Sequence, residues 1–159
     1  MSIPADPKKV TIHARAVTVL EGIFEGDAYF YTPGNVQGKA TLWKKRMADY
    51  ELAVIFAGAE EAPTHHSGHR LEETFTLVIG GAIRDHDGET QKALARALRD
   101  IRKAVFADMD AGTTGSLGAL AIRCQLGPWR SELGEGPLEG FGRFEQEFKF
   151  TVSGDIEDL

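Results

Sequence analysis

The sequence predicts an α+β domain: a mostly antiparallel or mixed twisted sheet of about five to six strands, two packed helices and a long hairpin arm. Three observations carry that expectation. Segments that alternate apolar and polar residues come in runs instead of singly between helices, as antiparallel sheets require. Two other segments carry apolar stripes at helical spacing. The stretch Gly127 to Gly140 is glycine- and proline-rich and sits between two alternating segments, the pattern of a hairpin. The 159 residues show no repeat, low-complexity tract or linker, so residues 1–159 are read as one domain.

Val10, Ala14, Val17 and Leu20 recur at helical spacing, with Ile12 and Ile23 beside them, predicting a first helix from Pro7 to Ile23 ended by Gly26. Pro7 suits its first turn, where a missing N–H costs nothing. Strands are expected at Tyr29–Tyr31 and, after a turn at Pro33-Gly34-Asn35, from Val36 to Trp43. Tyr50 to Ala57 has a continuous apolar centre and reads as a strand buried on both faces. Gly58 to Arg70 is a polar loop with three histidines. In the next strand Leu71, Glu73, Phe75, Leu77 and Ile79 share one face, and Glu72, Thr74, Thr76 and Val78 the other.

The second helix has Leu94, Leu98, Ile101 and Val105 as its core stripe, with Arg96, Arg99 and Lys103 off it. Asp87 is the expected cap, and Glu89 sits in the first turn near the positive end of the dipole. Gly112 to Gly118 reads as a flexible connection. Leu120, Ile122, Cys124 and Leu126 then alternate as a strand, followed by the glycine-rich arm. The last strand puts Phe144, Phe148, Phe150 and Val152 on one face, and Gln146 interrupts it, suggesting an edge or an interface.

Composition excludes several classes. Hydrophobic residues are 42% and charged residues 26%, which rules out a disordered, collagen-like or coiled-coil chain. The one cysteine, Cys124, has no internal disulfide partner. Residues 1–9 lack the apolar core of a signal peptide, and no run approaches 18 apolar residues, so a secreted or membrane-spanning chain is not expected. The net charge is −6, and Arg130 to Leu159 holds eight acids and three bases, which is −5. An acidic chain grips phosphates poorly, so specific nucleic-acid binding is not expected. The basic run Lys44-Lys45-Arg46 beside Trp43 reads as a solvated segment.

His65, His66 and His69 are the candidate metal ligands, with His86 and Asp87 brought near by the fold. Adjacent His65 and His66 point apart in an extended chain, so a solvated or interface loop is expected instead. Gly112-Thr113-Thr114-Gly115-Ser116-Leu117-Gly118 lacks the Lys-Ser/Thr pair of a phosphate loop and precedes a strand, not a helix. Cys124 alternates with apolar neighbours and reads as an inert thiol. Ser67 lies near histidines without a nucleophile elbow. Asp108 and Asp110, following the second helix, read as solvated acids, and the phenylalanines as core rather than a stacking platform. No catalytic constellation results: the expectation is no enzyme, no cofactor and no metal.

From Arg70 onward the elements form a recognisable series. The strand HRLEETFTLVIGG runs into the helix ETQKALARALRDIRKAVFAD; LGALAIRCQLGPW follows, and then PLEGFGRFEQEFKFTVSGD. The N-terminal part is compatible, with a helix, a Gly26-Asp27 step before Tyr29, and the strand ELAVIFAG. Over Val10 to Gly154 the chain resembles tail terminator (tail-completion) proteins of tailed bacteriophages and phage-like particles. The resemblance implies a structural role: a homohexameric ring that caps the head-proximal end of the tail tube, stops its polymerisation and offers a head–tail joining surface. It implies a twisted sheet flanked by two helices, no active site, and a place in the virion tail or neck after assembly in the host cytoplasm. Partners would be further copies of the chain, the tail tube protein and a connector or neck protein. DNA would pass through the lumen without specific binding, helped by the negative charge, and no membrane would be involved. Subunit contacts are expected from the glycine-rich arm and the histidine loop, with Glu60, His65, His66, Trp129, Arg130, Glu132 and Glu135 as interface candidates. The alternatives are a head-closure or neck ring protein of the same particle and a small metal-dependent hydrolase using the histidines.

Overall fold

A computed structural model describes residues 3–39, 49–58, 62–136 and 139–159. Helix α1 spans Lys8–Glu21 and is followed by strands β1 (Asn35–Gln37), β2 (Tyr50–Phe56), β3 (Thr64–Ser67) and β4 (Arg70–Arg84). Then come α2 (Thr90–Ala111), the one-turn α3 (Leu117–Leu120), β5 (Arg123–Leu133) and β6 (Phe141–Asp155). The six strands form one mixed sheet ordered β1-β2-β4-β6-β5, with β3 pairing β4 off that path. Only β1 and β2 run parallel; the other pairs are antiparallel. The expected α+β class is the class observed.

β4 and β6 make the spine, pairing in unbroken register from Arg70↔Asp155 to Arg84↔Phe141. Their alternation places Phe75, Leu77 and Ile79 of β4 and Phe144, Phe148, Phe150 and Val152 of β6 in the core. β2 adds Tyr50, Leu52 and Val54 to that face, while Glu51, Ala53 and Ile55 on the other face stay half-buried. β2 is thus buried on one face and not on both, because both helices lie on the same side of the sheet.

α2 lays Leu94, Ala97, Leu98, Ile101, Ala104 and Val105 on the sheet as the stripe predicts. α1 differs from expectation by two residues in phase. Ile12, Ala16 and Leu20 are buried, whereas Ala14 and Val10 are exposed. α1 also stops at Glu21 with Gly22 as its cap, before Ile23 and Gly26. α2 takes Glu89 at its cap position, not Asp87, and the Asp85 carboxylate accepts the N–H groups of Asp87 and Glu89.

Four other expectations are corrected. Tyr29–Tyr31 forms no strand, only an isolated bridge from Tyr29 to Glu25; the Phe30 and Tyr31 N–H groups are taken by a helix carboxylate, described below. The strand expected from Val36 to Trp43 is β1, ending at Gln37; residues 40–48, with the basic run, lie outside the described residues. The polar loop contains β3, which folds back on β4 through the tight turn at Gly68. The arm is strand as far as Leu133, so only its remainder connects β5 to β6.

Candidate functional site

β5 closes one side of the sheet and is exposed along most of its length. Among the described residues only β6 pairs with it, so its outer backbone edge meets no other described strand. Leu126 pairs with Phe148, Trp129 with Gln146 and Leu133 with Gly142, which sets these side chains on the helix-bearing face. They are nevertheless about half exposed, at 46%, 53% and 52%, and Ile122 just before the strand is 64% exposed. For Trp129 and Leu133 the reason is a cleft of about 320 Å³ between α2 and β5, lined also by Gln91, Leu94 and Leu98. Of the alternation expected at Leu120, Ile122, Cys124 and Leu126, Leu120 belongs to α3 and with Cys124 packs against the core, whereas Ile122 and Leu126 face solvent and continue through Trp129 and Leu133 as a stripe beside the edge. Such an edge accepts a further strand or surface.

A register shift between Leu126 and Trp129 bends this strand. Fully buried Gln146 holds the bulge. Its amide donates to the carbonyls of Gly127 and Glu147, both at 2.9 Å, and its Oε1 accepts from Arg102 Nε and Nη2 at 2.9 and 2.6 Å. Gln146 thus marks neither an edge nor an interface; it links α2 to the bulge within the core. The interface candidates Trp129, Arg130, Glu132 and Glu135 are all exposed on this hairpin. Arg130 lies 3.5 Å from Glu145, and Glu132 lies 3.4 Å from Arg143.

On the far face of the sheet a groove of about 430 Å³ runs across Ala53 and Gly80, rimmed by Arg130, Glu132, Arg143 and Glu145. Along its rim Arg130 pairs with Glu145 and Arg143 with Glu132, and Ser131 is the one hydroxyl in its lining.

The histidines do not converge. His65 Nε2 is 2.7 Å from the Gly68 carbonyl, and His66 Nε2 is 3.2 Å from Glu72 Oε2. His69 is exposed, and its carbonyl accepts the Ile156 N–H. His86 instead pairs with Asp49 at 3.2 Å, at the other end of 15-residue β4, on the order of 45 Å away by strand rise. Among the described residues no three His, Cys, Asp or Glu side chains gather to hold a metal ion. Glu60 lies outside the described residues.

The glycine-rich connection is also more ordered than expected. Gly112 caps α2 at φ 59°, a left-handed conformation, and Ser116 Oγ then caps α3 by accepting the Ala119 N–H at 3.3 Å. A helix start therefore does follow the motif, but the Asp108 carboxylate occupies it, accepting the Leu117 N–H at 2.9 Å. The same carboxylate takes both Arg15 Nη2 at 2.6 Å and Nε at 3.1 Å. The Arg15 bonds hold the Asp108 carboxyl below its usual range against the opposing effect of burial. Asp108 lies inside α2 and ties three helices together; it is not a solvated acid.

Burial pushes the Cys124 thiol up to about 12, so at neutral pH it stays protonated and is a poor nucleophile. Sequence reasoning missed two polar anchors, Gln146 in its bonded role and Asp100. The fully buried Asp100 carboxylate accepts the Phe30 and Tyr31 N–H groups at 2.7 and 3.1 Å, so these two donors are not offered to a strand. The available signal was an acid within the core stripe, between Ala97 and Ala104. No helix among the described residues is long and apolar enough to cross a membrane. No family model matches the chain and no curated protein matches it, so its role has to be argued from its own residues.

Proposed function

We propose that this chain is a structural ring protein, a terminator that caps the head-proximal end of a phage-like tail tube and offers the surface for head–tail joining. The observation that carries the reading is the β5 edge: a strand paired on one side among the described residues, with Leu126, Trp129 and Leu133, and Ile122 just before it, about half exposed or more. Such a stripe is costly to leave in water and gains by association with another protein surface. The described residues otherwise present paired charges, a protonated thiol and dispersed histidines, a surface suited to assembly more than to turnover. The series of elements resembling tail terminators supplies the particular assembly. Copies of the chain would form a hexameric ring, with the tail tube protein on one face, a connector on the other, and DNA passing through.

A tube grows by repeating one head-to-tail contact until something caps its end. Particles produced without this chain should therefore contain filled heads, unjoined tails and many overlong tubes in electron micrographs. Tails of normal length beside heads that leak DNA would overturn the terminator reading and favour a head-closure role.

A further inference from the structure

The outward face of α2 carries Lys92, Arg96, Arg99 and Lys103, spaced by three or four residues so that they form one stripe. Residues 28–31 lie against that stripe. Arg99 Nη1 and Lys103 Nζ donate to the Ala28 carbonyl at 2.7 and 3.0 Å, and Asp100 fixes the backbone of Phe30 and Tyr31. The Phe30 ring, 42% exposed, has the Arg96 and Arg99 guanidinium carbons 5.0 and 5.3 Å from its centre. Lys103 Nζ lies 5.3 Å from the centre of the Tyr29 ring, and Phe24 nearby in the chain is 75% exposed. Arg99 meets Asp100 and Lys92 meets Glu89, but among the described residues no carboxylate pairs with Arg96 or Lys103. In a chain of net charge −6 this is a preformed basic, aromatic patch.

The hairpin of β5 and β6 has the opposite character. Trp129 and Leu133 are exposed beside the exposed acids Glu132, Glu135 and Glu139; of the bases on this hairpin, Arg143 pairs with Glu132 and Arg130 with Glu145. Gln91 and Ala95 of α2 face the cleft toward β5, whereas Arg96 and Lys103 lie roughly a third of a turn further round the helix, at about 100° per residue. The two surfaces therefore occupy different flanks of one molecule.

We propose that the acidic, tryptophan-bearing hairpin of one copy docks on the Phe30–Arg96–Lys103 patch of the next copy. The proposal rests on the ring reading and names the contact that closes the ring. Two unlike surfaces on one chain make a head-to-tail contact, the kind that closes into a ring when its rotation allows. Aromatic and arginine side chains are the usual anchors of such interfaces, and opposite charge sets their partner and register.

A charge swap tests it. Native mass spectrometry would be run on the wild type, on Arg96→Glu with Lys103→Glu, and on Glu132→Lys with Glu135→Lys and Glu139→Lys. Each variant alone should lose association by tenfold or more, since like charges then face each other. An equal mixture of the two should assemble again, because each hairpin now finds an oppositely charged patch. Thermal melting of each variant establishes that it folds; should either fail, Arg96→Gln with Lys103→Gln weakens the contact without reversing charge and should lower association in the same direction. Variants that assemble like the wild type, or folded variants whose mixture stays monomeric, overturn the docking while the ring stands. A wild-type chain monomeric at every concentration overturns the ring reading and the docking with it.

Discussion

Three polar side chains do most of the positioning. Asp108, Asp100 and Gln146 each face backbone groups that would otherwise be short of partners, and each joins an element to α2. Asp108 gives a pH prediction. Its folded pKa lies below the ordinary value of 3.8, so its contribution to stability is present above that pH and is lost as pH falls through the lowered value. Asp108→Asn keeps the shape but loses the charge, weakening two bonds from Arg15 and one from the Leu117 N–H. Because Arg15 is partly solvated, the expected loss is moderate, about 1–2 kcal/mol at pH 7. The gap between wild type and variant in urea unfolding should narrow as pH falls below about 4. A gap of constant size would place the effect in packing and not in charge.

At the element scale, α2 shows how far periodicity carries. Leu98 is buried against the sheet face that holds Phe148 and Phe150, so Leu98→Ala should cost about 2–5 kcal/mol. A loss below about 0.5 kcal/mol in denaturant unfolding would put the helix on another face. Gly118→Ala should also lower the melting temperature, since a Cβ there would clash with the Met109 carbonyl oxygen. The long elements were legible because their patterns repeat: α2, β4 and β6 each show several turns or alternations. α1 was legible as a helix but not in its phase, since Val10, Ala14 and Val17 form as good a stripe as Ile12, Ala16 and Leu20. Only the sheet decides between them. β5 misled in a different way. Its alternation is real, but alternation names a face and not what covers it, and here α2 stops short. The interface candidates on the hairpin came from composition and are exposed as surface residues must be. The basic patch was invisible as a unit because Asp100 and Phe30 meet across 70 residues of chain.

For the whole molecule the consequence is that folding and association should be linked. One continuous core packs α1, α2 and α3 on a single face of the sheet, yet Ile122, Leu126, Trp129 and Leu133 remain outside it along the β5 edge. Assembly that covers this edge stabilises the folded chain and not the unfolded one, so mass action should raise the melting temperature with protein concentration. At a hundredfold excess over the dissociation constant the gain is about 2.7 kcal/mol, or roughly 5–11 °C for a domain of this size. Trp129→Lys with Leu133→Lys replaces two of the four stripe residues, at positions already half in water, so the monomer should fold with little loss. Lysine on an open strand also discourages pairing. The variant's melting temperature should then be independent of concentration and should match that of dilute wild type. Calorimetry across a hundredfold range of concentration separates the outcomes. A wild-type curve that does not move would mean that the β5 edge stays in water and that the chain acts alone. A variant that still shifts would move the assembly surface elsewhere on the molecule.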